Sequence, residues 1–195
     1  MYNLKVERRD ESIKAKKLRR KGIIPALIYG RNLKETILIQ IPLIDANRFL
    51  KEVSRGSVLT IDIGEEKYNV LFKEITREPV SQQVEHIEFH HIVANETVNS
   101  VANVVLINRE KNENLIQQHI EEITYNALPR HFVQKVVIDL EGMNAGSSVK
   151  LEDLDIAKNE DIRLTMPEDT IILTIAEKVK AAPEEEQEEE QEQDS

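Results

Sequence analysis

From Tyr2 to Arg8, apolar and polar side chains alternate, with Leu4 and Val6 on one side, and this period of two predicts a strand. Ser12 is placed to cap a short helix running to Lys21, with Gly22 as its stop signal. Pro25 lies in an extended run, PALIYG, and Arg31-Asn32 turns the chain into TILIQI at 36–41. Ile44, Phe49, Leu50 and Val53 recur at helical spacing over 43–53, with Asp45 near the start and Gly56 past the end. VLTIDI (58–63) and YNVLFKEI (68–75) flank Gly64-Glu65-Glu66 as a hairpin, and Arg77-Glu78-Pro79 breaks the chain before VEHIEFHHIV at 84–93. Short strands at close intervals with few helices predict a small barrel.

Past Ala94-Asn95-Glu96 the pattern stays β-rich. The runs 98–107, 115–125, 132–140, 161–166 and 170–175 read as strands, 142–148 as a turn, and 149–156 as holding one short helical turn. The fold class expected is mainly β, with a barrel domain over 1–93, a second β-rich domain over 94–180, and a tail over 181–195. From Pro183 onward the tail is Glu, Gln, Asp and Ser alone, which cannot bury a core and is expected to be disordered.

Composition narrows the chemistry. The absence of cysteine removes disulfides, thiolate-bound metals and thiol nucleophiles, and fits a reducing cytosol. No run approaches the length of about 20 apolar residues that spans a bilayer, and the basic N-terminus has no apolar stretch of the secretory kind. A soluble, cytoplasmic protein is expected.

The net charge of −10 conceals a division along the chain. Residues 1–34 carry eleven Lys/Arg against three Asp/Glu, and residues 35–93 carry six against ten. Residues 94–182 carry nine against fifteen, and the last thirteen residues add eight acids and no base. A basic head and an acidic remainder imply different partners for the two parts.

Two clusters can carry binding chemistry. Lys14, Lys16, Lys17, Arg19, Arg20 and Lys21 cover most of the predicted first helix and leave Ile13 and Leu18 to pack inward. Cations this dense suit phosphate contacts that release counterions, or else form a solvated basic face. On the strand over 84–93, alternation puts Ile87 and Phe89 on one face and His86, Glu88 and His90 on the other. That polar trio is compatible with a divalent metal in a metal-dependent enzyme, with base edges and ribose hydroxyls in an RNA minor groove, or with a plain polar surface. Tyr29, closing PALIYG beside Gly30-Arg31, can pack on the barrel or contact a nucleotide. Gly-x-Ser-x-Gly and phosphate-cradling glycine loops are missing, and acid pairs such as Glu121-Glu122 lie in generally acidic sequence, so no enzyme is expected and no cofactor.

The stretch Leu18-Arg19-Arg20-Lys21-Gly22-Ile23-Ile24-Pro25-Ala26-Leu27-Ile28-Tyr29-Gly30, with Glu85-His86-Ile87-Glu88-Phe89 later, resembles the large-subunit ribosomal protein twenty-five family. The resemblance is to its long form, the general stress protein Ctc type. It continues through Leu128-Pro129, VVIDLEGMNAGSSVKLEDLDI and Pro167-Glu168-Asp169-Thr170-Ile171. It implies a six- or seven-stranded antiparallel barrel similar to the anticodon-binding domain of glutaminyl-tRNA synthetase. It also implies binding to the loop E region of 5S ribosomal RNA, largely across a minor groove, in the central protuberance beside other large-subunit proteins. Support of translation under stress is a further implication, with neither a membrane nor a small-molecule substrate as partner. Action on RNA away from the ribosome is the alternative on the same barrel.

Carried over position by position, the resemblance implies RNA contacts at Arg9 (with Arg8 as its rival), Lys14, Arg19, Arg20, Tyr29, His86 and Glu88. Two departures accompany it. Glu88 stands where the family usually has Asp, which keeps the acceptor but moves its oxygens by about an ångström or more. Ile13-Lys14-Ala15-Lys16 stands where a glycine-containing turn is common.

Overall fold

Side chains two apart on each N-terminal strand converge on a single apolar core. The computed structural model describes residues 2–177, so the acidic tail expected over 181–195 lies outside the described residues. Strands β1 (Tyr2–Arg8), β2 (Ile23–Tyr29), β3 (Ile37–Pro42), β4 (Val58–Ile63), β5 (Glu66–Arg77) and β6 (Val84–His91) close into a barrel in the order β1-β3-β2-β6-β5-β4. The expected barrel is present, with mixed seams: β1–β4 and β2–β6 run parallel and the other pairs antiparallel. Parallel neighbours need long crossovers. The chain supplies them between β1 and β4 and between β2 and β6, which are distant in sequence.

Helix α2 (Leu43–Glu52) packs Ala46 and Phe49 into this barrel, both fully buried. The Phe49 ring lies 5.0 Å from Phe72 and 5.8 Å from Phe89, and Phe72 and Phe89 are 5.9 Å apart. These are ring separations at which tilted aromatic pairs attract beyond simple burial. The shorter helix α1 (Ala15–Arg20) begins later than the pattern predicts, with Lys14 at its N-cap. Ser12 does not cap it. Its hydroxyl and its N–H both donate to Asp10 Oδ1, at 2.6 and 2.9 Å, closing a local turn that competes with the capping role.

The remaining strands are β7 (Val98–Ile107), β8 (Leu115–Gln118), β9 (Glu122–Ala127), β10 (Lys135–Asp139), β11 (Ser148–Lys150), β12 (Ile162–Leu164) and β13 (Ile171–Ala176). They form a four-stranded sheet, β10-β7-β9-β12, and a three-stranded sheet, β11-β13-β8. Ile123, Tyr125, Leu140, Leu151, Ile172 and Leu173 are completely buried in the core they share. The run 115–125, expected as one strand, is two strands in two sheets. The break falls at His119 and Ile120, whose N–H groups both donate to the Ile172 carbonyl, while the Glu121 carbonyl already accepts from Val104. The helical turn expected within 149–156 is a single 3-10 turn at Leu151–Asp153.

The two cores meet at a polar joint. The Arg55 guanidinium donates to Glu122 Oε2 at 2.9 Å and to the Lys73 carbonyl at 3.3 Å, and the Arg55 carbonyl accepts from Asn103 Nδ2 at 3.1 Å. Lys73 Nζ reaches the Asn99 carbonyl at 3.0 Å. Gly56, with φ at +80°, lies so close to β7 that a Cβ there would sit 1.9 Å from the Val101 carbonyl oxygen. Gly64 also has positive φ, +65°, but open space around it. In urea denaturation, Gly64→Ala is expected to cost about 1 kcal/mol. Gly56→Ala, which adds a clash to the same conformational strain, is expected to cost about 3 kcal/mol or more; equal losses would refute the tight joint.

Candidate nucleic-acid interface

Strand β6 divides its side chains as the alternation predicts. Ile87 and Phe89 are fully buried in the barrel, and His86, Glu88 and His90 are half-buried on the outer face. Register sets their neighbours. His86 lies opposite Thr76 and Glu88 opposite Glu74 on β5, while Leu27 and Tyr29 on β2 flank Glu88 and His90. Two carboxylates side by side repel unless something donates to them. Ribose hydroxyls and the guanine amino group, both displayed in an RNA minor groove, are donors of that kind.

At one end of this strip stands α1. Leu18 is buried, and Arg19 reaches β6, donating to the Glu85 carbonyl at 3.3 Å and pairing with the Glu85 carboxylate at 3.5 Å. The helix is therefore tied beside His86. Lys14, Lys16, Lys17, Arg20 and Lys21 are exposed and have no ion-pair partner among the described residues. Arg19 thus holds the helix in place, whereas Lys14 and Arg20 offer free charge.

Tyr29 stands at the other end, its ring 5.0 Å from that of His90. Burial raises the phenol above its ordinary range, and Glu88 and Glu74 add to the effect, so the hydroxyl stays a donor. Tyr29 and His90 line a cleft of about 350 Å³ with Arg31, Lys73, Asn99 and Asn126. Burial lowers the His90 imidazole, against the pull of Glu96 and with the repulsion of Lys73, His91 and Arg31.

The two arginines after β1 differ. Arg8 pairs with Glu66 at 2.8 Å on the exposed barrel wall. Arg9 turns inward, its Nη2 donating to the Ile13 carbonyl at 3.0 Å and its backbone N–H to the Leu38 carbonyl at 2.9 Å. It braces the loop that enters α1, and its Nε is buried without a partner. The sites carried over from the resemblance therefore fall in two groups. Arg19 reaches Glu85, the residue before His86, and Lys14 and Arg20 belong to the same short helix and its cap; Tyr29 and Glu88 lie on neighbouring strands, while Arg9 braces the loop before α1.

The metal reading of the trio fails on distance. Residues two apart on a strand have Cα atoms about 6.6 Å apart, and His86 and His90 about twice that, so the two imidazoles would have to lean fully toward one another to share an ion. No three His, Asp or Glu side chains are grouped to hold an ion among the described residues. No sequence pattern marks Glu74 or Lys73. A bulge between Phe72 and Glu74 shifts the register of β5 there, and no local pattern announces it.

The model of the ribosomal L25p family matches residues 4–89, and that of the ribosomal protein TL5 C-terminal domain matches 97–179. The large ribosomal subunit protein bL25 of Halothermothrix orenii is 30% identical over 193 residues, spanning 94% of this chain and 86% of that protein. The chain belongs to the bL25 family. Other bL25 proteins are similar along nearly their whole length: that of Gloeothece citriformis is 29% identical over 94% of this chain and 95% of its own, and that of Dictyoglomus thermophilum 29% over 88% and 87%. Both family models together mark the long form. The bL25 proteins are ribosomal proteins and not enzymes, which fits a surface of donors and acceptors without a nucleophile.

The lowered His90 has a consequence for pH. Its ring is held neutral in the folded chain, so stability is full above the ordinary histidine value of about 6.5 and falls as pH drops through the lower folded value. In an NMR titration His90 is expected to protonate below that ordinary value. His90→Gln is expected to flatten the loss of stability on acidification; an unchanged acid profile would refute the burial effect.

Proposed function

We propose that this chain binds 5S ribosomal RNA in the cytoplasm as a component of the large subunit's central protuberance, supporting translation, including under stress. The barrel over 1–93 acts as the RNA-binding domain, and the β-rich unit over 94–180 faces neighbouring proteins. The observation that carries this reading is the row of cations on α1 that have no ion-pair partner among the described residues, on a helix tied through Arg19 and Glu85 to the end of β6 where His86 emerges. Cations without protein partners are the groups able to displace counterions from a phosphate backbone.

In this mechanism Lys14 and Arg20 take phosphates on the groove edge, and Arg19 holds the helix at the distance that lets them reach. His86 and Glu88 enter the minor groove, where Glu88, with Glu74 beside it, accepts from hydroxyl or amino donors. Tyr29 meets the ribose-phosphate edge. Arg9 contributes by shaping the loop ahead of Lys14. The choice of 5S RNA and of its loop E region rests on the family resemblance, and the charge pattern supports an RNA duplex more generally.

Filter binding to 5S RNA at several salt concentrations tests the division of roles. Lys14→Ala/Arg20→Ala is expected to weaken binding and lower the salt slope by about 2. His86→Ala is expected to cost about 1–2 kcal/mol and leave the slope unchanged. Salt-insensitive binding would refute the phosphate contacts, and failure to co-sediment with large subunits would favour an RNA-binding role away from the ribosome.

A further inference from the structure

Strand β10 is the outer strand of its sheet, pairing only with β7 among the described residues. The Gln134 carbonyl accepts from Asn103, and the Leu140 N–H donates to the Ile107 carbonyl. In a parallel ladder this register turns the even-numbered backbone groups toward β7 and those of Lys135, Val137 and Asp139 outward. An outer row of unpaired N–H and C=O groups is a template for another strand unless it is blunted. Here the charges of Lys135 and Asp139 stand only at the two ends, and the middle is left open. Strand β10 has no proline and no bulge, and its central Val137 is 56% exposed.

A groove of about 670 Å³ runs along this edge. Its other wall is β11 and the segment after it, and its apolar lining includes Val136, Ile138, Val149, Leu154 and Ile156. Carboxylates stand around it: Asp139, and Asp155, whose side chain is fully exposed and lies 3.8 Å from the solvated Lys158 Nζ, while Lys135 is the cation of the lining. Hydrogen bonds from Asn108 and from the Glu141 N–H keep Asp139 ionised well into acid. The surrounding stretch is acidic as a whole, with nine bases against fifteen acids over 94–182.

We propose that β10 is a docking edge for an extended, basic segment of a neighbouring protein, which adds as a strand beside Lys135–Asp139. Its backbone pairs with the outward groups of Lys135, Val137 and Asp139, apolar side chains enter the groove, and Lys or Arg meets Asp139 and Asp155. Strand addition of this kind draws affinity from main-chain hydrogen bonds and specificity from alternate side-chain pockets. The acidic rim selects a basic protein over RNA. The proposal rests on the ribosomal reading above, in that the segment belongs to a large-subunit protein.

The test places a photoreactive residue in the full chain, Val137→p-benzoylphenylalanine, and a reference probe at Lys16. Each chain is bound to large subunits depleted of this protein and irradiated. The expected result is a protein cross-link from position 137, mapped to a Lys/Arg-rich extended segment, and an RNA cross-link from position 16. Asp139→Asn/Asp155→Asn is expected to lower the yield at 137 by about threefold or more. With the probe moved to Lys135, Val137→Pro is expected to abolish the cross-link, since the N–H it removes faces away from β7 and the fold is retained. RNA, a second copy of this chain or nothing cross-linked at 137, with RNA still labelled from 16, overturns the docking edge and leaves the ribosomal reading standing. So does a protein cross-link unaffected by both variants. No label from either position, with no co-sedimentation, overturns both.

Discussion

The meeting of Phe49, Phe72 and Phe89 at the centre of the barrel is the contact on which the polar strip along β6 depends. Phe89 cannot leave that cluster without exposing a large ring, so β6 cannot slip by one residue. With β6 fixed, His86, Glu88 and His90 have only the outer face available. The parallel seam with β2 then sets Tyr29 against His90, and the antiparallel seam with β5 sets Glu74 against Glu88. The polar strip is thus a by-product of how one aromatic side chain is packed, and its spacing is the pleat of a strand.

Charge is arranged with the same economy. Arg19 gives up its charge locally to Glu85, and in doing so anchors five cations that have no ion-pair partner among the described residues. Arg8 and Arg9, equally basic in the sequence, are occupied by Glu66 and by the Ile13 carbonyl. A count of positive residues therefore overstates the charge left free at the surface. Its effective part is the fraction left unpaired after folding.

How much of this the sequence disclosed follows from the range of the interactions involved. The alternation over 84–93 and the hairpin around Gly64 are local patterns, and both elements form, with β6 ending at His91 and β5 already starting at Glu66. The helix start was misplaced because Asp10 competes for Ser12, a contest between two neighbours that propensity does not rank. The run 115–125 keeps its apolar character while changing sheets, because the break is imposed by the Ile172 and Val104 backbones, over fifty and fifteen residues away. The parallel seams, the bulge before Glu74 and the ion pair of Arg19 with Glu85 are likewise tertiary facts. The resemblance to a ribosomal family supplied the site residues that periodicity could only place on a face.

Gly56 at the joint between the two cores has a genetic consequence. Every single-base change in a glycine codon that alters the residue introduces a side chain beginning with Cβ, or a stop. At Gly56 each such side chain meets the Val101 carbonyl, and retreat is barred on the other side by the hydrogen bond from the Gly56 N–H to Phe72. Elsewhere on the surface a lineage can explore neighbouring amino acids one base at a time. At this position every such step carries both the clash and the strain of a positive φ, so single-base substitution here disturbs the way the two halves of the chain abut.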